Sequence, residues 1–246
     1  MKIKYHLVNK LMYLISLLVI FFSCGSHSNR SHQKVTEDIA GLSYLGFELK
    51  EGDLLFQDSD CGPFCESIEK VTSGINGSNF SHVGLVVVND DEEYVVLEAI
   101  TKGVVETPLD TFFSRSFDTK SRSKVVVGRM KKEHQQLIPS AVGYAKTKLG
   151  SEYDDVFDIA NDKYYCSELI YESFKVANDH QDIFVLQAMT YKDPDTDATF
   201  PVWKSYFEDL NQSIPEGELG LNPGGMSKNQ HIDIVHFYGT PEGYKP

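Results

Sequence analysis

Positive charge is in short supply in this chain of 246 residues: 23 Lys and Arg stand against 36 Asp and Glu, a net charge of −13. A surface of that sign repels phosphate backbones and anionic lipid headgroups, so nucleic acid is not expected as a partner. Cysteine is scarce as well, with four in all. Cys61 and Cys65 stand close together, but no second ligand pair follows at a zinc-site spacing. His134, His180 and His231 sit in polar stretches and read as solvated, and His236 reads as a core histidine. Neither a metal nor a cofactor is expected. A long apolar run is missing too. Leu11 to Phe22 is broken by Ser16 and is too short for a comfortable membrane span. There is no internal repeat and no low-complexity tract. What remains is 41% hydrophobic and 12% aromatic, which fits a folded globule with a real core.

The N-terminus is a different object. Lys2, Lys4 and Lys10 precede the apolar run, and Ser23-Cys24-Gly25 follows it. A charged start, a short apolar stretch and a small residue describe a secretory signal over residues 1–23, with an uncleaved N-terminal anchor as the alternative. Cys24 stands where a bacterial lipoprotein carries its lipidated cysteine, although Phe21 and Phe22 replace the usual Leu and small residue; a chance cysteine near an ordinary cut is the other reading. Residues 24–40 are polar and aperiodic, a flexible tether. Removing residues 1–23 takes away three lysines and no acids, carrying the net charge from −13 to −16. Such acidity also keeps an envelope protein soluble. Outside the cytosol Cys61 and Cys65 can form a disulfide, and two free thiols remain the equal alternative.

Residues 41–246 read as one α+β domain with a C-terminal elaboration. Strands are expected at 51–57, 81–88, 94–100, 103–106, 124–130 and 232–237. The stretches 81–88 and 94–100 make a hairpin about the turn at Asn89-Asp90-Asp91-Glu92. Helices are expected at 66–75, at 134–149 and from Cys166 to Asn178, where Leu169, Ile170, Phe174 and Ala177 share a face. Residues 190–200 look like a loop and 214–230 like a long irregular stretch. Trp203 and Tyr206, close to Pro201, read as packing residues that could also line a cleft.

Two strands of the hairpin each carry one misfit. Glu98 lies among Val95, Val96, Leu97, Ala99 and Ile100, and His82 precedes Val83 and Gly84. A carboxylate is seldom buried without a partner. With a three-residue loop His82 faces Glu98; with a loop two residues longer they become diagonal neighbours on the same face. The bland alternative sends Glu98 to solvent and leaves His82 on backbone. Much further along, Cys166 opens a helix. The positive end of a helix dipole lowers a thiol pKa there, and the N–H groups of the first turn point forward. A buried structural cysteine is the commoner fate of that residue. Thiol, imidazole and carboxylate are nonetheless the parts of a cysteine hydrolase, whose geometry matters more than chain order.

Five segments in order carry a resemblance: Gly52-Asp53-Leu54-Leu55-Phe56-Gln57, Phe80-Ser81-His82-Val83-Gly84, Leu97-Glu98-Ala99, Tyr153-Asp154 and Tyr165-Cys166-Ser167-Glu168-Leu169. Together they resemble the circularly permuted NlpC-type papain-like amidases, in particular the YiiX-like group of bacterial envelope proteins, across most of residues 45–240. The resemblance implies an antiparallel sheet or partial barrel packed against helices. It implies Cys166 as nucleophile, His82 as general base and Glu98 as the residue orienting His82. Tyr153 then becomes a substrate or oxyanion contact, and Asp53 and Gln57 join the substrate-binding set. The expected substrate is an amide or peptide, peptidoglycan stem peptides among them, met from a lipid anchor on Cys24. A lipid acyltransferase or esterase on the same fold, or a binding protein without catalysis, are the alternatives.

Overall fold

The computed structural model describes residues 41–246; the signal, Cys24 and the tether read from the sequence lie outside the described residues. Strands β1 (Leu42–Tyr44) and β2 (Phe47–Leu49) form a small hairpin. Six strands then build the main sheet: β3 (Leu54–Gln57), β4 (His82–Val88), β5 (Tyr94–Ile100), β6 (Gly103–Pro108), β7 (Val125–Met130) and β10 (Ile232–Phe237). Their spatial order is β10-β7-β3-β4-β5-β6, and every adjacent pair is antiparallel. A further two-stranded pair, β8 (Gln187–Ala188) with β9 (Leu219–Gly220), stands apart from it.

Strand periodicity sorts the side chains into two layers. Leu54, Phe56, Val83, Leu85, Leu97, Ala99 and Val126 face one way, into the larger core shared with the helices α3 (Ile138–Lys146) and α4 (Cys166–Ala177). Leu55, Val86, Val96, Val125 and Val127 face the other way, onto the short helix α2 (Leu109–Phe113) and the first hairpin. Both sides of the sheet are covered, which is why β3, β4 and β5 are buried almost throughout. A third cluster, of aromatic residues, gathers Phe157, Tyr165, Tyr191, Trp203 and Phe207, with Trp203 and Phe207 on α5 (Pro201–Asp209).

Helix limits follow local chemistry. The helix expected at 66–75 is α1, Pro63–Val71. It starts earlier because Pro63 suits the first helical position and Gly62, at φ 75°, turns the chain into it. The helix expected at 134–149 is split: a 3₁₀ segment runs Lys132–Leu137, and α3 starts anew at Ile138 with Pro139 in its first turn. Proline there cannot supply the N–H that would continue the earlier turn. The irregular stretch contains one short helix, α6 (Pro223–Ser227), capped by Asn222, whose side chain accepts from the Gly225 N–H at 2.7 Å. No helix among the described residues is long and apolar enough to cross a membrane.

Candidate active site

The β4–β5 ladder pairs Leu85 with Leu97 and Val88 with Tyr94, which makes the connecting loop five residues, 89–93. In that register Gly84 stands across from Glu98, and His82 is its diagonal neighbour on the same face. Gly84 keeps the space between them open: a Cβ there would run into the Val96 side chain and lie 3.6 Å from the Glu98 Cβ. His82 Nε2 and Glu98 Oε2 meet at 2.5 Å. The ladder is not continued from Leu85 to His82, so the strands part at this end. Into the gap comes the first residue of α4, Cys166. His82 and the N–H groups of Val83 and Ser167 stand close enough to its sulfur to lower the thiol pKa. With Nε2 held by Glu98, Nδ1 is the ring nitrogen left for the thiol.

Cys166 is the free cysteine of the described residues and is buried. Tyr165 precedes the helix in extended conformation, and its N–H donates at 3.1 Å to the carboxyl oxygen of Glu168, three residues on. That contact fixes the first turn, and the Tyr165 hydroxyl accepts from the Leu221 N–H at 3.1 Å. Burial pushes the thiol pKa up, but the His82 hydrogen bond, the histidine charge and the two backbone donors bring it below the ordinary cysteine value. The opposite happens at His82: burial pushes its pKa down, while Cys166 and then Glu98 outweigh it and raise it to about 9. A thiolate–imidazolium pair is the state this environment favours.

Two residues that sequence reasoning missed complete the Glu98 environment. Thr107 Oγ1, on β6, donates to Glu98 Oε1 at 2.5 Å. Arg115, just after α2, grips the carboxylate with Nη1 to Oε2 at 2.7 Å and Nη2 to Oε1 at 2.5 Å. Burial raises the Glu98 pKa, yet Arg115 and then His82 reverse it and hold the group at about 2. The sequence does carry a signal for Thr107. Glu98 pairs with Val105 on β6, so Thr107, two residues on, shares its face. Arg115 has no such periodic signal, because it arrives from a turn.

The pair opens on a cleft of about 980 Å³. Its wall includes His82, Cys166, Arg115 and Tyr153, joined by Phe64 and Ile68 of α1, by Phe157 and Tyr191, and by Trp203 of α5. Tyr153, bridged to Tyr164, is close enough to Cys166 for a thiolate to raise its phenol pKa, after the larger effect of burial. Cys61 and Cys65 line the same cleft and are joined in a disulfide at the entry to α1. Trp203 does both things read for it: it packs in the aromatic cluster and lines the cleft. His236 stacks on Phe47 with ring centroids 4.3 Å apart, a packing role. His231 and His134 are not simply solvated; their rings stand 4.3 Å apart and His231 reaches the cleft.

Asp53 and Gln57 do not belong in the substrate-binding set, for neither lines the cleft. Asp53 precedes β3 at its far end, 1% exposed, and is gripped by Arg129 at 2.7 and 2.8 Å. Its partner makes it a structural ion. Gln57 is the register partner of His82, but its amide is spent on the Phe112 carbonyl at 2.8 Å. Asp154 likewise serves the backbone, accepting from the N–H groups of Val156 and Asp158 and from the Asn161 amide.

A cysteine heading a buried helix, a histidine on the neighbouring strand and an antiparallel sheet between helices define the papain-like class, here in permuted order. Residues 48–236 match the family described as permuted papain-like amidase enzyme, YaeF/YiiX, C92 family, and the chain belongs to that family of papain-like hydrolases. The chain is 30% identical over 139 residues to the uncharacterized protein YiiX of Escherichia coli strain K12, a match spanning 56% of this chain and 64% of that protein. It is similar in fold to the crystal structure of metalloprotein YiiX from Escherichia coli O157:H7. There the TM-score is 0.60 and the identity 24%, covering 77% of this chain and 98% of that one. Among the described residues here, no group of three or more His, Cys, Asp or Glu is placed to hold a metal ion.

Proposed function

We propose that the protein is a cysteine hydrolase that cleaves an amide or peptide bond through Cys166, His82 and Glu98. The observation that carries this reading is the convergence of the Cys166 thiol and the Glu98 carboxylate on the two sides of the His82 ring. The Cys166 thiolate attacks the substrate carbonyl carbon, and an S–C bond forms. The N–H groups at the start of α4 face the oxygen as it gains charge. The His82 imidazolium gives its proton to the departing amine, the C–N bond breaks, and an acyl-enzyme remains. Water then loses a proton to His82 and bonds to the acyl carbon. The C–S bond breaks, and the sulfur leaves as a thiolate.

The aromatic and aliphatic wall formed by Phe64, Ile68, Phe157, Tyr191 and Trp203 favours a substrate with an apolar group beside the scissile carbonyl. That same wall is what supports the second reading, an esterase or acyltransferase acting on an acyl chain. A cell-wall peptide and an anchor on Cys24 rest on the sequence reading of the N-terminus. The test is a panel of p-nitroanilides and p-nitrophenyl esters bearing peptidyl, aromatic and aliphatic acyl groups, assayed with the parent and with Cys166→Ala. Amide turnover lost in the variant supports the amidase. Ester turnover alone moves the assignment to the second reading. Turnover undiminished in the variant removes Cys166 from the mechanism.

A further inference from the structure

A buried carboxylate facing an imidazole has two ways to fail: it can take up a proton, or it can swing away. The Glu98 side chain is fully buried and both of its oxygens carry two donors, which closes off each route. Half of those donors come from one residue, Arg115. Its guanidinium is itself built in. It lies over the Phe112 ring, 5.0 Å from the centroid, and the Phe112 carbonyl is tied back to the sheet by Gln57, the register partner of His82. The site is thus fixed twice to the same point of the sheet, once through β4 and once through the turn after α2. Arg115 also keeps 28% of its side chain exposed and borders the cleft.

We propose that Arg115 is a positioning residue for the reaction, holding Glu98 ionised and aligned so that His82 and Cys166 stay in the ion-pair form under acidic conditions. The inference rests on the reading of Cys166 and His82 as the reacting pair. The groups that face one another here are few. Glu98 is faced by His82 of β4, Thr107 of β6 and Arg115. His82 is faced by Glu98 and Cys166, and the thiol by His82, by the N–H groups of Val83 and Ser167 and, more distantly, by the Tyr153 phenol. Arg115 is the only permanent cation in that set. Without it, Glu98 takes up a proton at higher pH, the imidazolium loses its counter-charge, and the proton returns to sulfur.

The experiment needs no substrate. Full-length parent, Arg115→Gln and Arg115→Lys are alkylated with iodoacetamide from pH 4 to 9, and the modification is quantified on the peptide containing Cys166. Thermal melting is recorded alongside. In the parent, reactivity should persist far below the pH at which a free thiol loses it. Arg115→Gln should shift that acid limb upward by about one pH unit, a loss that approaches roughly tenfold only at pH values below the parent's own midpoint. Arg115→Lys should recover part of the shift, since it restores the charge but not the two-pronged grip. A Gln variant that melts earlier yet keeps the parent profile makes Arg115 merely structural and overturns the proposal. Should the Gln variant fail to fold, the Lys profile decides: coincidence with the parent overturns, a raised acid limb supports. A parent whose Cys166 titrates like a free thiol overturns the nucleophile itself, an outcome distinct from failure at Arg115 alone.

Discussion

On the proposed mechanism Glu98 is both chemistry and scaffold. Its four donors offset the cost of burying a charge, and removing the charge leaves Arg115 without its partner. We therefore expect Glu98→Gln to slow turnover by roughly 10²-fold and also to destabilise by about 3–5 kcal/mol, read by assay and by thermal melting. Cys166→Ala should abolish turnover with little change in melting, because a small buried thiol leaves only a small space. His82→Ala should fall almost as far in rate, since the thiolate loses its proton acceptor and its counter-charge together. Asp53 gives the contrasting case. Its ion pair with Arg129 lies at the other end of β3 from His82, so Asp53→Ala should cost about 3–5 kcal/mol of stability while leaving the alkylation profile of Cys166 unmoved. A changed profile would return Asp53 to the site. The His82–Glu98 contact was legible in the sequence because two misfits on adjacent strands have one natural resolution. Asp53 and Gln57 misled for the same kind of reason. A polar residue in a strand announces that it has a partner, but not whether that partner is substrate, arginine or a carbonyl.

At the level of elements, the strands were the most legible part. Apolar or alternating runs bounded by turn residues placed β3, β4, β5, β6, β7 and β10 close to where they stand. Helix α4 was legible from its apolar face. Helices α2, α5 and α6 were not. Each is short and begins beside or on a proline, at Pro108, Pro201 and Pro223, where local signals read as breaks rather than as starts. These segments matter to the site. α2 delivers Arg115, and α5 delivers the Trp203 wall. The first turn of α1 is tied down by the Cys61–Cys65 bridge, which also lines the cleft. So short a loop constrains the unfolded chain by only about 2 kcal/mol on the entropic account. Reduction, or the double change Cys61→Ala with Cys65→Ala, should therefore lower the melting temperature by several degrees. The Cys166 acid limb should stay in place, because the polar partners of His82 and Glu98 among the described residues all lie outside α1. A shift in that limb on reduction would mean that the bridge shapes the reacting pair as well as the wall.

The whole molecule carries several buried acids whose pKa values move in opposite directions, and their balance fixes how stability varies with pH. Glu98 is held down at about 2 by Arg115 and His82 against burial. Its contribution is present above the ordinary glutamate value, near 4.5, and is lost as pH falls from there through 2. His82 is raised to about 9 by Cys166 and Glu98 against burial, so its contribution is full below 6.5 and is lost as pH rises through 9. Glu69 and Glu168 add to that alkaline loss. Burial raises Glu69 to about 7 and Glu168 to about 9, so both are neutral in the folded protein over a range where the unfolded chain has released their protons. Folding then binds protons, and stability falls as pH climbs above 4.5. Cys166 works against the His82 effect: its thiol is held below the ordinary value, and while the pair is thiolate and imidazolium the proton His82 keeps is the one Cys166 has lost. The decline on the alkaline side is therefore set by Glu69 and Glu168, and the melting temperature should peak near pH 4.5–5 and be lower at pH 9. Glu168→Gln isolates one cause. The amide oxygen still accepts from the Tyr165 N–H and no longer has a proton to lose. That variant should melt like the parent at pH 5 and above it at pH 9, with Cys166 still reactive. If the two melting curves run parallel across the whole range, Glu168 is ionised in the folded protein, and the first turn of α4 holds a negative charge beside the thiolate instead of a neutral acid.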